Sequence, residues 1–327
     1  MRDAGVETAR MEERGEDMEQ LLKRIERACR SQTGGGKPAS YIPELANVDP
    51  GLFSLSVTGI GGGTCTVGDG EAYFSMQSIS KVVSLAFAIE RFGEAGVFSR
   101  VGMEPCAEPF NSIMKLEIAS NMPLNPFINA GAIVLSAMIC ERFGGSAIGE
   151  VLDFASRMAS RGPGKRLAVN ERIYISENAT ADRNRALAYY MHSTDALSHD
   201  VEETLALYFR MCSIETRTGD LSRMGATIAN AGLNPVTGER VISRDTARIL
   251  VGLMATCGLY NESGEFAVRV GVPAKSGVCG GVLGTVPGRM GLAVFSPPLD
   301  ERGNSVAGIE ALAQLSEAMG LRGFPPA

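Results

Sequence analysis

Histidine is nearly absent: His192 and His199 are the only two in a chain of 327 residues. A His-based catalytic triad would need one of them, and no G-x-S-x-G turn is available to present its serine. The two lie seven apart with Asp195 and Asp200 nearby. That pattern admits a metal site, but a turn between two helices is the simpler reading. Cysteine is present without pattern. Cys29, Cys65, Cys106, Cys140, Cys212, Cys257 and Cys279 contain no C-x-x-C pair, and an odd number cannot all pair. Several sit in apolar settings, as Cys140 does at the end of the run 133–140. They read as small reduced core residues, which argues against a zinc or disulfide framework.

Positive charge is in deficit. The net charge of -6 argues against the basic patch of a general nucleic-acid binder. No uninterrupted apolar run reaches the ~20 residues that span a bilayer. Residues 1–30 are crowded with charge and lack the apolar stretch of a secretory signal. The expectation is a cytoplasmic protein with neither nucleic acid nor membrane as partner. Apolar residues at 45% and charged residues at 21% are ordinary for a globular chain with a sizeable core.

Periodicity places the elements. Residues 1–17 form a polar extension expected to be disordered, and 18–327 a single catalytic domain. The spacing predicts an amphipathic helix over 18–30, with Met18, Leu21, Leu22, Ile25 and Ala28 on one stripe. A Gly-rich loop follows at 31–37, then strands over 52–57 and 65–67 joined by the turn 59–63. That turn is no dinucleotide fingerprint, because the third glycine of G-x-G-x-x-G falls on Thr64 and no helix follows. A nearly continuous apolar helix over 78–92 is stopped by Gly93. Further helices are expected over 129–143, 149–158, 181–192, 201–212 and 243–257, with a loop at 161–166. Strands return over 267–270, 274–278 and 291–296, and a helix over 305–319 closes the chain. The pattern implies an α/β fold. An antiparallel sheet is built from both ends of the chain (18–100 and 261–327), and a central helical lobe (101–260) borders a cleft.

Two motifs carry chemistry. In Phe74-Ser75-Met76-Gln77-Ser78-Ile79-Ser80-Lys81, Ser78 and Lys81 are three apart and share a helix face, with Cβ atoms about 5–6 Å apart. The apolar run after Lys81 would desolvate its amine and lower its pKa. A neutral lysine can then take the serine proton. S-x-x-K also arises by chance on solvated helices, and Ser75 and Ser80 compete, although neither has a lysine three residues on. The second motif, Lys275-Ser276-Gly277, has the K-[ST]-G form that accompanies S-x-x-K in penicillin-recognising enzymes. A strand beside the nucleophile can donate a backbone N–H to an oxyanion. The two together point to serine acyl transfer.

Around these motifs the sequence resembles the glutaminase family of the serine beta-lactamase-like fold over residues 20–320. The resemblance rests on Lys37-Pro38-Ala39-Ser40-Tyr41-Ile42-Pro43-Glu44-Leu45-Ala46 and on Gly68-Asp69 with the nucleophile block. It rests also on Pro123-Leu124-Asn125-Pro126-Phe127-Ile128-Asn129-Ala130-Gly131-Ala132-Ile133 and on Ser176-Glu177 with Asn184. Tyr208 before Cys212, Thr256-Cys257-Gly258-Leu259-Tyr260 and Lys275-Ser276-Gly277-Val278 complete it. The resemblance implies hydrolysis of L-glutamine to L-glutamate and ammonia through a glutamyl-serine, without a cofactor, in a homodimer or homotetramer. It implies Ser78 as nucleophile, Lys81 as base, and Tyr41 and Tyr260 as proton-relaying phenols. Backbone N–H groups of Ser78 and Val278 would form the oxyanion hole. Asn129, Glu177, Asn184 and Tyr208 would hold the amino-acid end, with Ser78, Tyr260 and Val278 also touching substrate. A carboxylate suits an ammonium and amide N–H groups suit a carboxylate.

Without the resemblance these residues have plainer readings. Tyr208 would be core, Glu177 and Asn184 helix entry and surface, and Asn129 an N-cap. One position departs from the family: Cys279 stands where many members carry glycine, so the oxyanion turn is expected to be strained if it needs positive φ there. Two other functions compete, a penicillin-recognising hydrolase and a non-catalytic amino-acid binder.

Overall fold

A computed structural model of the chain describes residues 17–106, 122–161 and 165–322. The expected extension, but for Asp17, and residues 162–164 of the expected loop lie outside the described residues. Five strands form an antiparallel sheet: β1 (Ser54–Gly59), β2 (Thr64–Gly68), β5 (Ala274–Ser276), β6 (Gly281–Val286) and β7 (Met290–Phe295). Their order is β2-β1-β7-β6-β5, so the two ends of the chain meet where β1 pairs with β7. The short strands β3 (Phe74–Ser75) and β4 (Glu215–Thr216) pair separately.

Alternation along β7 assigns the faces of the sheet. Leu292 and Val294 join one apolar cluster with helices α1 (Met18–Arg30) and α11 (Val306–Met319). Ala293 and Phe295 point into a second, larger cluster with the central helices. That face is met first by α8 (Thr218–Ala229), which is seated unusually close. A Cβ on Gly291 would lie 2.0 Å from the Ala226 nitrogen, and one on Gly225 would lie 2.3 Å from the Gly284 carbonyl oxygen. Beside this contact Ser222 bonds the hydroxyls of Ser56 (2.9 Å) and Thr58 (2.8 Å), which ties the polar side of β1 to the helix.

The remaining helices are α2 (Ser80–Phe98), α3 (Asn129–Phe143), α4 (Ala147–Met158), α5 (Glu171–Ala179), α6 (Asp182–Ser193), α7 (Val201–Cys212), α9 (Arg244–Cys257) and α10 (Ser263–Arg269). The stretch Asn129–Met158 is long and apolar enough to cross a membrane by length and composition. It is two helices, α3 and α4, joined by a short 3-10 turn at Gly144–Ser146, and it packs in the larger core cluster.

Several expectations are corrected. Residues 267–270 are not a strand but the end of α10 and the residue after it. Phe266 and Val270 are buried four residues apart while Val268 between them is 78% exposed, which is helical spacing. Strand β6, buried on both faces, carries no alternation and was not expected. In α1 the buried stripe runs through Leu21, Leu22, Ile25 and Cys29, whereas Ala28 is exposed. Gly93 breaks α2 with φ 76° and ψ 161°, but helix resumes to Phe98 beyond it.

Candidate active site

The turn that carries Ser78 is set by a sharp change of direction. Met76 N–H donates to the Ile214 carbonyl at 2.8 Å, the last bond of the β3 edge. Gln77 then adopts φ 48°, a left-handed conformation unfavourable for a residue with a Cβ. Residues Gln77–Ile79 form a 3-10 turn that feeds α2, so Ser78 sits at the helix entrance and Lys81 one turn in. Both are buried, Lys81 at 1% exposure. The other wall is the end of β5. Gly277 lies so near Met76 that a Cβ would be 2.7 Å from the Met76 carbonyl oxygen, so Lys275-Ser276-Gly277 runs directly against the nucleophile turn.

Lys81 donates to the Phe127 carbonyl at 3.1 Å and to Asn129 Oδ1 at 2.7 Å. Asn129 Nδ2 in turn donates to Asn184 Oδ1 at 2.9 Å. Asn129 is therefore not the N-cap of α3. The N-cap position is Ile128, and among the described residues no side chain caps the helix; Asn125 Oδ1 instead accepts from the N–H groups of Phe127 (3.0 Å) and Ile128 (3.2 Å) in the turn before it. Burial lowers the pKa of Lys81 to about 8, opposed by Cys212 and Glu177. Glu177, also buried, is raised to about 8 by desolvation and held back chiefly by the amide of Gln77, whose Nε2 stands 3.4 Å away, and by Lys81. Burial likewise pushes the phenols of Tyr41, Tyr208 and Tyr260 above the ordinary range, so all three are protonated. The ring of Tyr41 lies largely open to solvent, 56% exposed, while its hydroxyl is turned in among Tyr260, Glu177, Cys212 and Cys279.

A cavity of about 220 Å³ brings together Tyr41, Ser78, Asn129, Glu177, Asn184 and Tyr208. Lys81 borders it through Asn129. Tyr260 stands behind Ser78, whose hydroxyl offsets part of the rise that burial gives the phenol. Val278 lies just outside, in the groove that it shares with Tyr41. The turn at 277–280 engages the N–H groups of Gly277 and Gly280, not that of Val278. The strain expected at Cys279 is absent: the positive φ of this turn, 91°, falls on Gly280. The Cys279 sulfur instead accepts from Gly281 N–H at 3.3 Å.

Gln77 and Cys212 also line the cavity, and neither was singled out from the sequence. The glutamine directly preceding the serine was the available signal. His192 Nδ1 contacts the Leu197 carbonyl (3.1 Å) and His199 Nε2 contacts Glu203 (3.0 Å), both away from the cavity. Among the described residues no group of three or more His, Cys, Asp or Glu is placed to hold a metal ion.

The model of the family described as Glutaminase matches residues 36–324. The chain belongs to the glutaminase family. A glutaminase of Clostridium botulinum strain Loch Maree is 46% identical over 308 residues, covering 94% of this chain and all of the relative. One from Clostridium tetani is 44% identical over the same span. Among solved structures, the probable glutaminase YbaS superposes with a TM-score of 0.88 at 37% identity, covering 95% of this chain and 100% of that one. The Bacillus subtilis glutaminase YbgJ, in covalent complex with 5-oxo-L-norleucine formed from 6-diazo-5-oxo-L-norleucine, gives 0.85 at 34% identity, with 94% and 100% covered. This member of the glutaminase family is thus an amidohydrolase with the beta-lactamase-like fold expected from its motifs.

Proposed function

We propose that the chain hydrolyses L-glutamine to L-glutamate and ammonia through a glutamyl ester on Ser78. The observation that carries the mechanism is Lys81. It is a buried amine one helical turn from the serine, donating to the Phe127 carbonyl and Asn129 Oδ1, and burial lowers it to about pKa 8. Near neutral pH a usable fraction is unprotonated and takes the Ser78 proton as Oγ attacks the side-chain amide carbon. The oxyanion is received by the N–H groups of Ser78 and Val278. The C–N bond then breaks, and the leaving nitrogen takes a proton relayed through the Tyr260 hydroxyl, with Lys81 as its source. Water, deprotonated in turn by Lys81, splits the ester and returns the serine.

Glu177 pairs with the substrate ammonium. Asn184 and Tyr208 receive its carboxylate, and Asn129 keeps Lys81 and Asn184 in register. The small cavity with an acidic wall favours a free amino acid over a bicyclic penicillin. All seven cysteines are free thiols, and a reducing cytoplasmic setting is part of the same proposal.

Ammonia release with L-glutamine, D-glutamine and L-asparagine tests the substrate, and L-glutamine should be strongly preferred. Ser78→Ala should lower kcat by at least about 1,000-fold with an unchanged thermal melt. Retained turnover would remove Ser78 as nucleophile.

A further inference from the structure

Lys275 is a second buried lysine in the site region, and the mechanism above does not use it. Its side chain is fully enclosed, 0% exposed, within β5. Nζ donates to the Ser276 carbonyl at 2.6 Å and lies 4.5 Å from the centroid of the Tyr260 ring. An amine so enclosed makes sense only if something around it needs its shape or its N–H groups, because burying it is costly.

The groups facing it are the Tyr260 ring from the loop after α9, Cys257 at the end of α9, Cys279 from the turn after β5, and Lys81 from α2. None is a carboxylate. Desolvation and the proximity of Lys81 lower its pKa well below that of a free lysine, and in either protonation state its nitrogen carries N–H groups. The contact with Tyr260 is therefore an N–H laid on a π face, with packing around it.

Tyr260 needs such a support. It occupies φ 52°, a conformation that its own Cβ disfavours. The loop carrying it is pinned at its start. Ser276 N–H donates to the Gly258 carbonyl at 3.2 Å, and a Cβ on Gly258 would lie 1.7 Å from the Ala274 carbonyl oxygen. Leu259 N–H is capped by Ser263 Oγ at 3.0 Å. These contacts fix the backbone, and the side chain packs beside the small apolar cluster that includes Ile42 and Val278. Lys275 adds an amine laid over the ring face itself.

We propose that Lys275 is a positioning residue for Tyr260, holding the ring so that its hydroxyl faces Ser78 for delivery of a proton to the departing ammonia. This inference rests on the glutaminase reading, since it concerns the leaving-group step of that reaction. The amino-acid end of the substrate is held from the opposite wall, so loss of Lys275 should act on kcat and spare KM. It should also act only where the leaving group must be protonated. Ammonia must be, whereas methanethiolate leaves from the γ-S-methyl thioester of glutamate without help.

The test measures both substrates on wild type and Lys275→Met. Glutamine kcat is expected to fall about 100-fold, the scale of one proton-transfer group, with KM within about threefold. Thioester turnover is expected to fall less than about fivefold. In a Tyr260→Phe background, which has no hydroxyl to place, adding Lys275→Met should change glutamine turnover less than about threefold, because coupled residues are non-additive. Equal loss on both substrates, wild-type glutamine turnover, or a further large loss in the Tyr260→Phe background would each overturn the proposal. If Lys275→Met does not fold, the same two-substrate comparison is read in Lys275→Gln. Failure of the parent reading looks different: wild type would then release no ammonia from glutamine, or Ser78→Ala would still do so.

Discussion

A carboxyl group shut away to receive an amine is a burden until the amine arrives. Glu177 is buried beside Gln77 and Lys81, and its pKa rises from 4.5 to about 8. The folded, empty protein therefore binds that proton more tightly than the unfolded chain does. The penalty is absent below pH 4.5, grows as pH rises, and is complete above about 8. Glu177→Gln should raise the melting temperature of the empty protein near pH 8, by a stability gain on the order of 3 kcal/mol, and leave it unchanged near pH 4. An equal shift at both pH values would count against this origin. The same variant should raise KM for glutamine about 10- to 100-fold, the worth of one charged hydrogen bond. On the proposed mechanism catalysis needs Glu177 ionised and Lys81 neutral, and burial shifts both to about 8. The pH profile of kcat/KM should therefore climb through pH 7–8 with a limiting slope near two, falling to one in Glu177→Gln. A pH-independent plateau down to pH 6 would refute it. From the sequence, the Ser78–Lys81 spacing and the apolar run after it were enough to expect a dry amine. Gln77 was signalled only by standing next to Ser78, and the place of Cys212 was not readable, because it depends on a helix far away in the chain.

The turn before α3 shows how an element sets the chemistry. Asn125 is buried and its Oδ1 caps the turn ahead of the helix, on the N–H groups of Phe127 and Ile128, while its Nδ2 donates to the Glu104 carbonyl at 2.8 Å. The same turn presents the Phe127 carbonyl and Asn129 Oδ1 to Lys81. Asn125→Ala should cost about 1–3 kcal/mol of stability and lower kcat more than it raises KM, as thermal melts and steady-state kinetics would show. A kinetically silent variant would mean that the turn holds Lys81 without this cap. The bounds of α3 and α7 were legible to the residue, since each is a strongly periodic or continuous apolar run between polar breaks. Helix α8 was harder. It is rich in small residues because it lies flat on glycine-lined strands, and small residues leave little periodic signal. The segment 267–270 misled for the opposite reason: a chance alternation over four residues mimics a strand when the buried pair, Phe266 and Val270, straddles it.

At the scale of the molecule, α8 is held both by close seating and by charge. Asp220, 1% exposed, receives Arg161 Nε at 3.0 Å and Arg223 at 2.7 Å, tying the end of the central helices to the helix on the sheet. Asp220→Ala strands two partly buried guanidinium groups and should cost about 3–5 kcal/mol. A urea titration would show this as a lower midpoint, with kcat/KM of the folded fraction changed less than about twofold. A larger kinetic loss would show that this tie also shapes the site. The ladder between β1 and β7 has a further consequence for how the molecule is made. Ser54 pairs with Phe295 and Gly59 with Met290, so a nascent chain leaves the ribosome with its first strands waiting for partners among the last to be synthesised. Until then the edge of β1 that β7 will take is unpaired, a state open to aggregation. Synthesis halted before residue 290 would leave the strands of the two chain ends without β7, the one that joins them.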